Sequence, residues 1–157
     1  MADEKMRILG LGLGWDQLVV GAKYRTVGRT ITEADLTAFV NATGMVEVLF
    51  TNREYLQSNS AYGGRRLVPA ACIYALAEGL VIQSALQSTG VAFLGMEMEV
   101  KGPTFADDTI HVEWEVLEAR PTSKAGRGLV RTRNHVVDQR GEVVLVYTPL
   151  RLIKASG

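Results

Sequence analysis

The sequence predicts an α+β fold in which a curved antiparallel sheet wraps around one long central helix. Two patterns carry this prediction. Between Arg66 and Glu97 the only charged residue is Glu78, and a helix that is apolar on nearly all sides is usually buried on nearly all sides. After Gly90, apolar and polar residues alternate with the period of two that half-buried strands require. A chain of 157 residues is expected to form one domain with its own core.

Composition excludes several classes of function. Basic and acidic residues balance at 17 each, so no charge excess suggests a nucleic-acid partner. The apolar stretches are too short to span a bilayer, and the N-terminus does not resemble a signal peptide, so we expect a cytoplasmic protein. The single cysteine, Cys72, excludes an intrachain disulfide and a multi-cysteine zinc site, and we expect no metal.

The first helix is predicted from its ends. Thr32 is a good N-cap, Asp35 completes a weak form of the capping box, and Gly44 can end the helix. Residues 52–59 are predicted to form a second short helix or turn, and residues 63–66 a loop.

The long helix is predicted from Pro69, placed in its first turn, to about Gln87. The strands follow it. Alternation begins at Met96, resumes at Ile110 after a turn, and continues in two further strands at residues 126–137 and 142–153.

A family resemblance starts in the first helix. Residues 28–44 are G-R-T-I-T-E-A-D-L-T-A-F-V-N-A-T-G, and the region from Gly14 to Leu80 resembles the MaoC-like acyl-CoA hydratase/dehydratase family. The resemblance implies a single hot-dog domain over residues 1–157, with residues 1–13 as an N-terminal arm. It also implies a dimer, because the acyl-thioester site of the family forms between two subunits.

The segment that follows Gly44 departs from this family. Active members continue as G-D-x-N-P-[LI]-H-x-D, and the catalytic Asp and His fall on Met45 and Phe50 here. Neither side chain can transfer a proton. Glu47 and Asn52 are the polar residues that remain in this segment, and both are candidates for a displaced catalytic role, with a solvated loop position as the alternative for Glu47.

Substrate-binding candidates follow from the same resemblance. The segment L-V-P-A-A at residues 67–71 falls on the family's I-A-H-G-M, in which the Gly N–H polarises the thioester carbonyl. Ala70 takes the place of that Gly and keeps its N–H, so Pro69, Ala70 and Ala71 are expected to contact the substrate. Arg65 and Arg66 are candidates for the phosphates of coenzyme A.

The role of Glu78, catalytic or structural, distinguishes the remaining functional alternatives. Another hot-dog class, the thioesterases, carries a catalytic Glu or Asp on the central helix. A carboxylate in apolar surroundings can equally be structural, paired with an Arg or a backbone N–H.

Three functional hypotheses therefore remain. The first is a hydratase/dehydratase-family protein with altered or lost acid-base chemistry, including the non-catalytic subunit of a heteromeric dehydratase, whose reaction would be that of a lyase. The second is a thioesterase that uses Glu78, and the third is an acyl-CoA-binding module without catalysis. The expected partners are an acyl-CoA and a second hot-dog subunit, identical or catalytic. No cofactor is expected beyond the coenzyme A of the substrate.

Overall fold

A computed structural model describes residues 6–59 and 61–157. The helices are α1 (Glu33–Thr43), α2 (Val48–Thr51), α3 (Arg53–Asn59) and α4 (Ala70–Val81). The strands are β1 (Lys23–Arg25), β2 (Arg29–Thr30), β3 (Gly90–Val100), β4 (Thr109–Pro121), β5 (Arg127–Val137) and β6 (Val143–Lys154).

The strands form an antiparallel sheet in the order β1-β4-β5-β6-β3, and β2 also pairs with β4. The two long hairpins β4-β5 and β5-β6 form the centre of this sheet. The predicted α+β class and the strands at residues 126–137 and 142–153 are therefore confirmed, with ends that differ by one residue.

The core lies between α4 and the inner face of the sheet. One side of α4 is buried through Cys72, Ile73, Ala77, Leu80 and Val81. It packs against alternating residues of the central strands, among them Val112, Trp114, Val130, Val136, Leu145, Tyr147 and Ile153. Each fully buried aliphatic side chain stabilises the fold by about 1.5–3 kcal/mol, so this layer decides where α4 sits.

The ends of α1 agree with their prediction. The Thr32 side chain accepts a hydrogen bond from the Asp35 N–H at 3.1 Å, and the Asp35 carboxylate accepts one from the Thr32 N–H at 2.9 Å. Gly44 ends the helix in the left-handed conformation, with φ at +71°. The capping box and the glycine stop are confirmed.

The predicted long helix agrees with the helical stretch to within one residue at each end, but its start and its last turn differ in detail. Pro69 is the N-cap, with extended ψ of 139°, and does not lie in the first turn. Regular α-helix ends at Val81 and continues as a π-helical turn, Ile82–Leu86. The Leu13 N–H donates to the carbonyl of Ala85 at 2.8 Å, so backbone of the predicted N-terminal arm occupies the end of this turn. Residues 1–5 of that arm lie outside the described residues.

The close approach of the N-terminal arm to the end of the helical stretch explains why residue 12 is a glycine. Its N–H donates to the Gln87 carbonyl at 2.8 Å, and a Cβ at this position would lie 2.4 Å from the Ala85 oxygen. Any larger residue would therefore push the arm away from the helix end.

Strand β3 forms an exposed edge of the sheet. It starts at Gly90, earlier than the predicted alternation at Met96. Met96, Met98 and Val100 lie opposite Pro149, Tyr147 and Leu145 of β6, which places them on the face that α4 covers elsewhere. All three are more than a third exposed, so α4 leaves this end of the inner face uncovered.

Candidate functional site

A pocket of about 370 Å³ opens at the N-terminus of α4. Its wall includes Val68, Pro69 and Ala70 from the start of the helix, Phe50 from α2, and Thr104 from the loop after β3. The Val68 N–H donates to the Thr104 carbonyl at 2.9 Å, which joins the two sides. The packing therefore brings the altered segment and the first turn of α4 into one site.

The pocket has no acid-base pair of the kind a hydratase uses. No carboxylate or imidazole belongs to its described lining, and the titratable side chains there are Tyr62 and Lys101. Lys101 forms an ion pair with Glu99 at 2.6 Å. Phe50 lies in the wall of the pocket, whereas Met45 is on the surface outside it.

The first turn of α4 presents two backbone donors. The N–H groups of Cys72 and Ile73 both bond to the Pro69 carbonyl, at 2.9 and 3.1 Å. Ala70 and Ala71 come before Cys72 in the helix, and their N–H groups have no backbone acceptor among the described residues. Since the positive end of the helix dipole lies here, the turn can polarise a carbonyl oxygen.

The two polar residues of the altered segment cap short helices. The Glu47 carboxylate accepts a hydrogen bond from the Leu49 N–H at 2.8 Å, at the start of α2. The Asn52 side-chain oxygen accepts one from the Tyr55 N–H at 2.9 Å, in the first turn of α3. Both side chains are exposed, and neither belongs to the described lining of the pocket. The structure does not bring these catalytic candidates to the site.

A polar cleft of about 460 Å³ lies beside the pocket, with Arg65 and Arg66 in its wall. Arg66 donates to the Phe50 carbonyl at 2.7 Å and pairs with Glu33 at 2.8 Å, so it ties α1 and α2 together. The Arg65 guanidinium lies 3.7 Å from the centre of the Phe105 ring, and it pairs with Asp108 at 3.5 Å. Arg65 is 48% exposed and Arg66 is 17% exposed, so Arg65 is the more accessible of the two.

Glu78 lies in a buried polar cluster. Its two carboxylate oxygens accept hydrogen bonds from Arg151 at 2.6 and 2.7 Å, and one of them also accepts from the Tyr147 hydroxyl at 3.0 Å. The side chains of Glu78 and Arg151 are 12% and 6% exposed. Burial, and then the negative charge of Glu78, raise the pKa of Tyr147 far above its usual value. Glu78 does not line the pocket at the start of α4.

Sequence reasoning offered an arginine as a structural partner of Glu78 but did not identify Arg151, although a signal was present. In β6 the inward positions are occupied by Leu145, Tyr147, Pro149, Arg151 and Ile153. An arginine at an inward-facing position of a buried strand requires an anionic partner. Glu78 is the one acidic residue of the helix that faces this strand.

Comparison with solved structures identifies the fold. A monoamine oxidase regulatory protein from Archaeoglobus fulgidus is 27% identical, with a TM-score of 0.80 over 96% of this chain and 100% of its own. A MaoC-like dehydratase from Rhodospirillum rubrum is 25% identical, with a TM-score of 0.80 over 93% of this chain and 99% of its own. No family model and no curated protein matches the sequence.

A third similar structure shows the fold alone. The 3R-hydroxyacyl-ACP dehydratase complex HadBC from Mycobacterium tuberculosis is 16% identical, with a TM-score of 0.68 over 85% of this chain and 96% of its own. A double hot-dog protein from Mycobacterium tuberculosis, 18% identical with a TM-score of 0.80 over 92% of this chain and 45% of its own, also has this sheet and central helix, which confirms the hot-dog fold. Within that fold, the chain resembles the MaoC-like dehydratases in structure and, at about a quarter identity, in sequence.

Two further observations concern membrane spans and metal ions. No helix of the described residues is long and apolar enough to cross a membrane. In residues 6–59 and 61–157, no group of three or more His, Cys, Asp or Glu side chains is arranged to hold a metal ion.

Proposed function

We propose that this protein binds an acyl thioester in the pocket at the start of α4, as a member of the hydratase/dehydratase class that lacks its own acid-base pair. The observation that carries the proposal is the lining of the pocket. It combines the free N–H of Ala70 with an apolar wall that includes Phe50, the residue that the resemblance aligns with the catalytic His.

Hydration of an enoyl thioester needs a base to take a proton from water and an acid to protonate the α-carbon. Each positioned group contributes about 10²–10⁴-fold to the rate. Phe50 has no titratable group, and Glu47 is engaged as a helix cap outside the described lining. The chain alone is therefore expected to bind its substrate without hydrating it at a rate typical of the family.

The favoured assembly is a heteromer in which a second hot-dog subunit supplies the missing Asp and His. The exposed edge of β3 supports such an assembly, because an uncovered apolar edge strand of 11 residues is prone to pair with another chain. A solved protein of similar fold, HadBC, is a 3R-hydroxyacyl-ACP dehydratase complex. A homodimer through the same edge is the alternative.

The hydrogen bonds of Glu78 argue against its use as the catalytic base of a thioesterase. A general base must be free to take a proton from water, but both oxygens of this carboxylate accept hydrogen bonds from Arg151. The cluster supports a structural role for Glu78. Arg65 remains our candidate for a phosphate of coenzyme A, since it is half exposed and its ion pair is long.

Binding is tested by calorimetry with octanoyl-CoA on the wild-type protein and on Ala70→Pro. Proline is compatible with this position, because Pro69 already has the extended ψ of 139° that a residue before proline adopts, and the Ala70 N–H has no backbone acceptor among the described residues. The substitution deletes one donor and keeps the helix. We expect a loss of affinity of about tenfold, which corresponds to about 1.4 kcal/mol, with little change in melting temperature.

Catalysis is tested with crotonyl-CoA, first on the chain alone and then after co-expression with a hot-dog protein that has an intact Asp/His segment. Activity only with the partner supports the heteromer, and binding without activity in either case favours the binding module. A turnover of the chain alone above roughly 10 per second, the median for enzymes, would show that substitute catalytic residues exist. Affinity weaker than about 1 mM for every acyl-CoA would reject the pocket as a thioester site.

A further inference from the structure

Helix α2 supplies Phe50 to the wall of the pocket, although the helix has only four residues. A helix this short is not stable in water without contacts to the rest of the protein. Among the described residues, the hydrogen bonds of α2 run within residues 47–52, with one exception. The Phe50 carbonyl accepts a hydrogen bond from Nη2 of Arg66 at 2.7 Å. Arg66 is therefore the hydrogen-bonding anchor of this part of the pocket wall.

Arg66 is itself fixed by contacts that do not involve α2. Its Nη1 pairs with Glu33, in the first turn of α1, at 2.8 Å. Its carbonyl accepts from the Ala106 N–H at 2.9 Å, so its backbone is tied to the loop before β4. A guanidinium holds its donors in one rigid plane. An arginine that is held at its backbone and at Nη1 can therefore hold the Phe50 carbonyl in one place through Nη2.

The same contacts make Arg66 a poor ligand for a phosphate. Both of its terminal nitrogens already have acceptors, and its Nε is buried. Bidentate recognition of a phosphate uses two N–H groups of the guanidinium at once. Arg65 differs, since its side chain is about half exposed and its ion pair with Asp108 is long, at 3.5 Å. The two neighbouring arginines are therefore not equivalent.

We propose that Arg66 is a positioning residue, which acts on the bound thioester through the Phe50 wall and not through a phosphate of coenzyme A. The inference rests on the proposed function, because it concerns the same pocket. It assigns the two arginines to different parts of the ligand. A wall that is already in place before binding lowers the cost of ordering the site, so its release weakens the ligand without the loss of a direct contact to Arg66.

The test compares wild-type protein with Arg66→Met, using octanoyl-CoA and octanoyl-pantetheine, which has the same thioester but none of the phosphates. Methionine keeps an unbranched side chain and has no donor. We expect Arg66→Met to weaken both ligands by the same factor of about tenfold, as the loss of one hydrogen bond from a charged donor predicts. Calorimetry is run at a temperature at which thermal unfolding shows every variant to be folded, so the folded fraction does not enter the affinity.

Arg65→Met is the matched control. It removes the neighbouring cation, which contacts Asp108 and the Phe105 ring, so it should leave the affinity for octanoyl-pantetheine unchanged. Glu33→Gln is the second variant, for the case in which Arg66→Met does not fold. It removes the charge that holds Nη1 of Arg66 and keeps the shape of the side chain. It should weaken both ligands equally, by about twofold to threefold.

Several outcomes would overturn the inference and leave the proposed function standing. If Arg66→Met weakens octanoyl-CoA alone, Arg66 is a phosphate ligand. If it lowers the melting temperature and leaves both affinities unchanged, its role is only structural. Equal weakening of octanoyl-pantetheine by Arg65→Met would show a general effect of charge. If Arg66→Met does not fold, unchanged affinities of Glu33→Gln reject the inference.

The wild-type protein separates this inference from the proposed function. Binding of octanoyl-CoA without binding of octanoyl-pantetheine rejects the inference alone, because the pocket wall then contributes too little for Arg66 to act through it. Failure to bind either ligand rejects the inference and the proposed function together.

Discussion

Replacing Glu78 with glutamine removes the negative charge that faces the Arg151 guanidinium but keeps the shape of the side chain. The arginine is 6% exposed, so it cannot turn to water when its partner is lost. The Tyr147 hydroxyl still finds an acceptor in the amide oxygen, because it donates to Glu78 at 3.0 Å in the native protein. The main effect is therefore an uncompensated buried cation.

The magnitude follows from the burial of the pair. Removing one member of a buried ion pair costs about 3–5 kcal/mol, and the retained amide oxygen favours the lower end of that range. In a domain of 157 residues, each kcal/mol lowers the melting temperature by about 2–4 °C. We therefore expect Glu78→Gln to melt about 6–12 °C below wild type, with no specific loss of any thioester hydrolysis.

The assay is thermal unfolding at one fixed protomer concentration, because an oligomer melts in a concentration-dependent way. The double variant Glu78→Gln/Arg151→Met should recover part of the loss, since it leaves no unpaired buried charge. Glu142→Gln, in the exposed turn between β5 and β6, is the matched control and should melt like wild type. An unchanged melting temperature for Glu78→Gln together with abolished acyl-CoA hydrolysis would refute the structural role and restore the thioesterase hypothesis.

Two further predictions concern α1 and the core. The hydrogen bond from the Thr32 N–H is the main cause that holds the pKa of Asp35 below its usual value. A depressed carboxyl pKa stabilises the fold above the unfolded value and loses this effect as pH falls through the folded one. Asp35→Asn should therefore cost about 0.3–1 kcal/mol at pH 7, and the difference should shrink as the pH falls below about 4. If the difference does not shrink as the pH falls below about 4, the capping explanation fails. Burial, with a smaller contribution from Asp35, raises the pKa of the Cys72 thiol to about 11, so a disulfide reagent at pH 8 should label it only after unfolding. Rapid labelling of the native protein would contradict this.

Much of the fold was predictable because its signals are local. The capping box of Thr32 and Asp35 and the left-handed stop at Gly44 depend on residues within one or two helical turns, and the structure confirms them. The period of two in β5 and β6 reports which residues face inward, and it predicted both strands to within one residue. The π-helical form of the last turn, Ile82–Leu86, was not predicted, and its end accepts hydrogen bonds from the distant backbone of Gly12 and Leu13.

The same distinction between local and distant signals applies to the candidate site. The sequence by itself determined that Met45 and Phe50 cannot transfer protons, since that follows from residue type alone. Only the tertiary structure decided that Phe50 lies in the pocket while Met45 is outside it, and that Glu47 and Asn52 act as helix caps. It also decided that Glu78 meets an arginine 73 residues away. The physical reason is that hydrogen bonds and burial depend on which distant segments the packed core brings together, and no local pattern records those contacts.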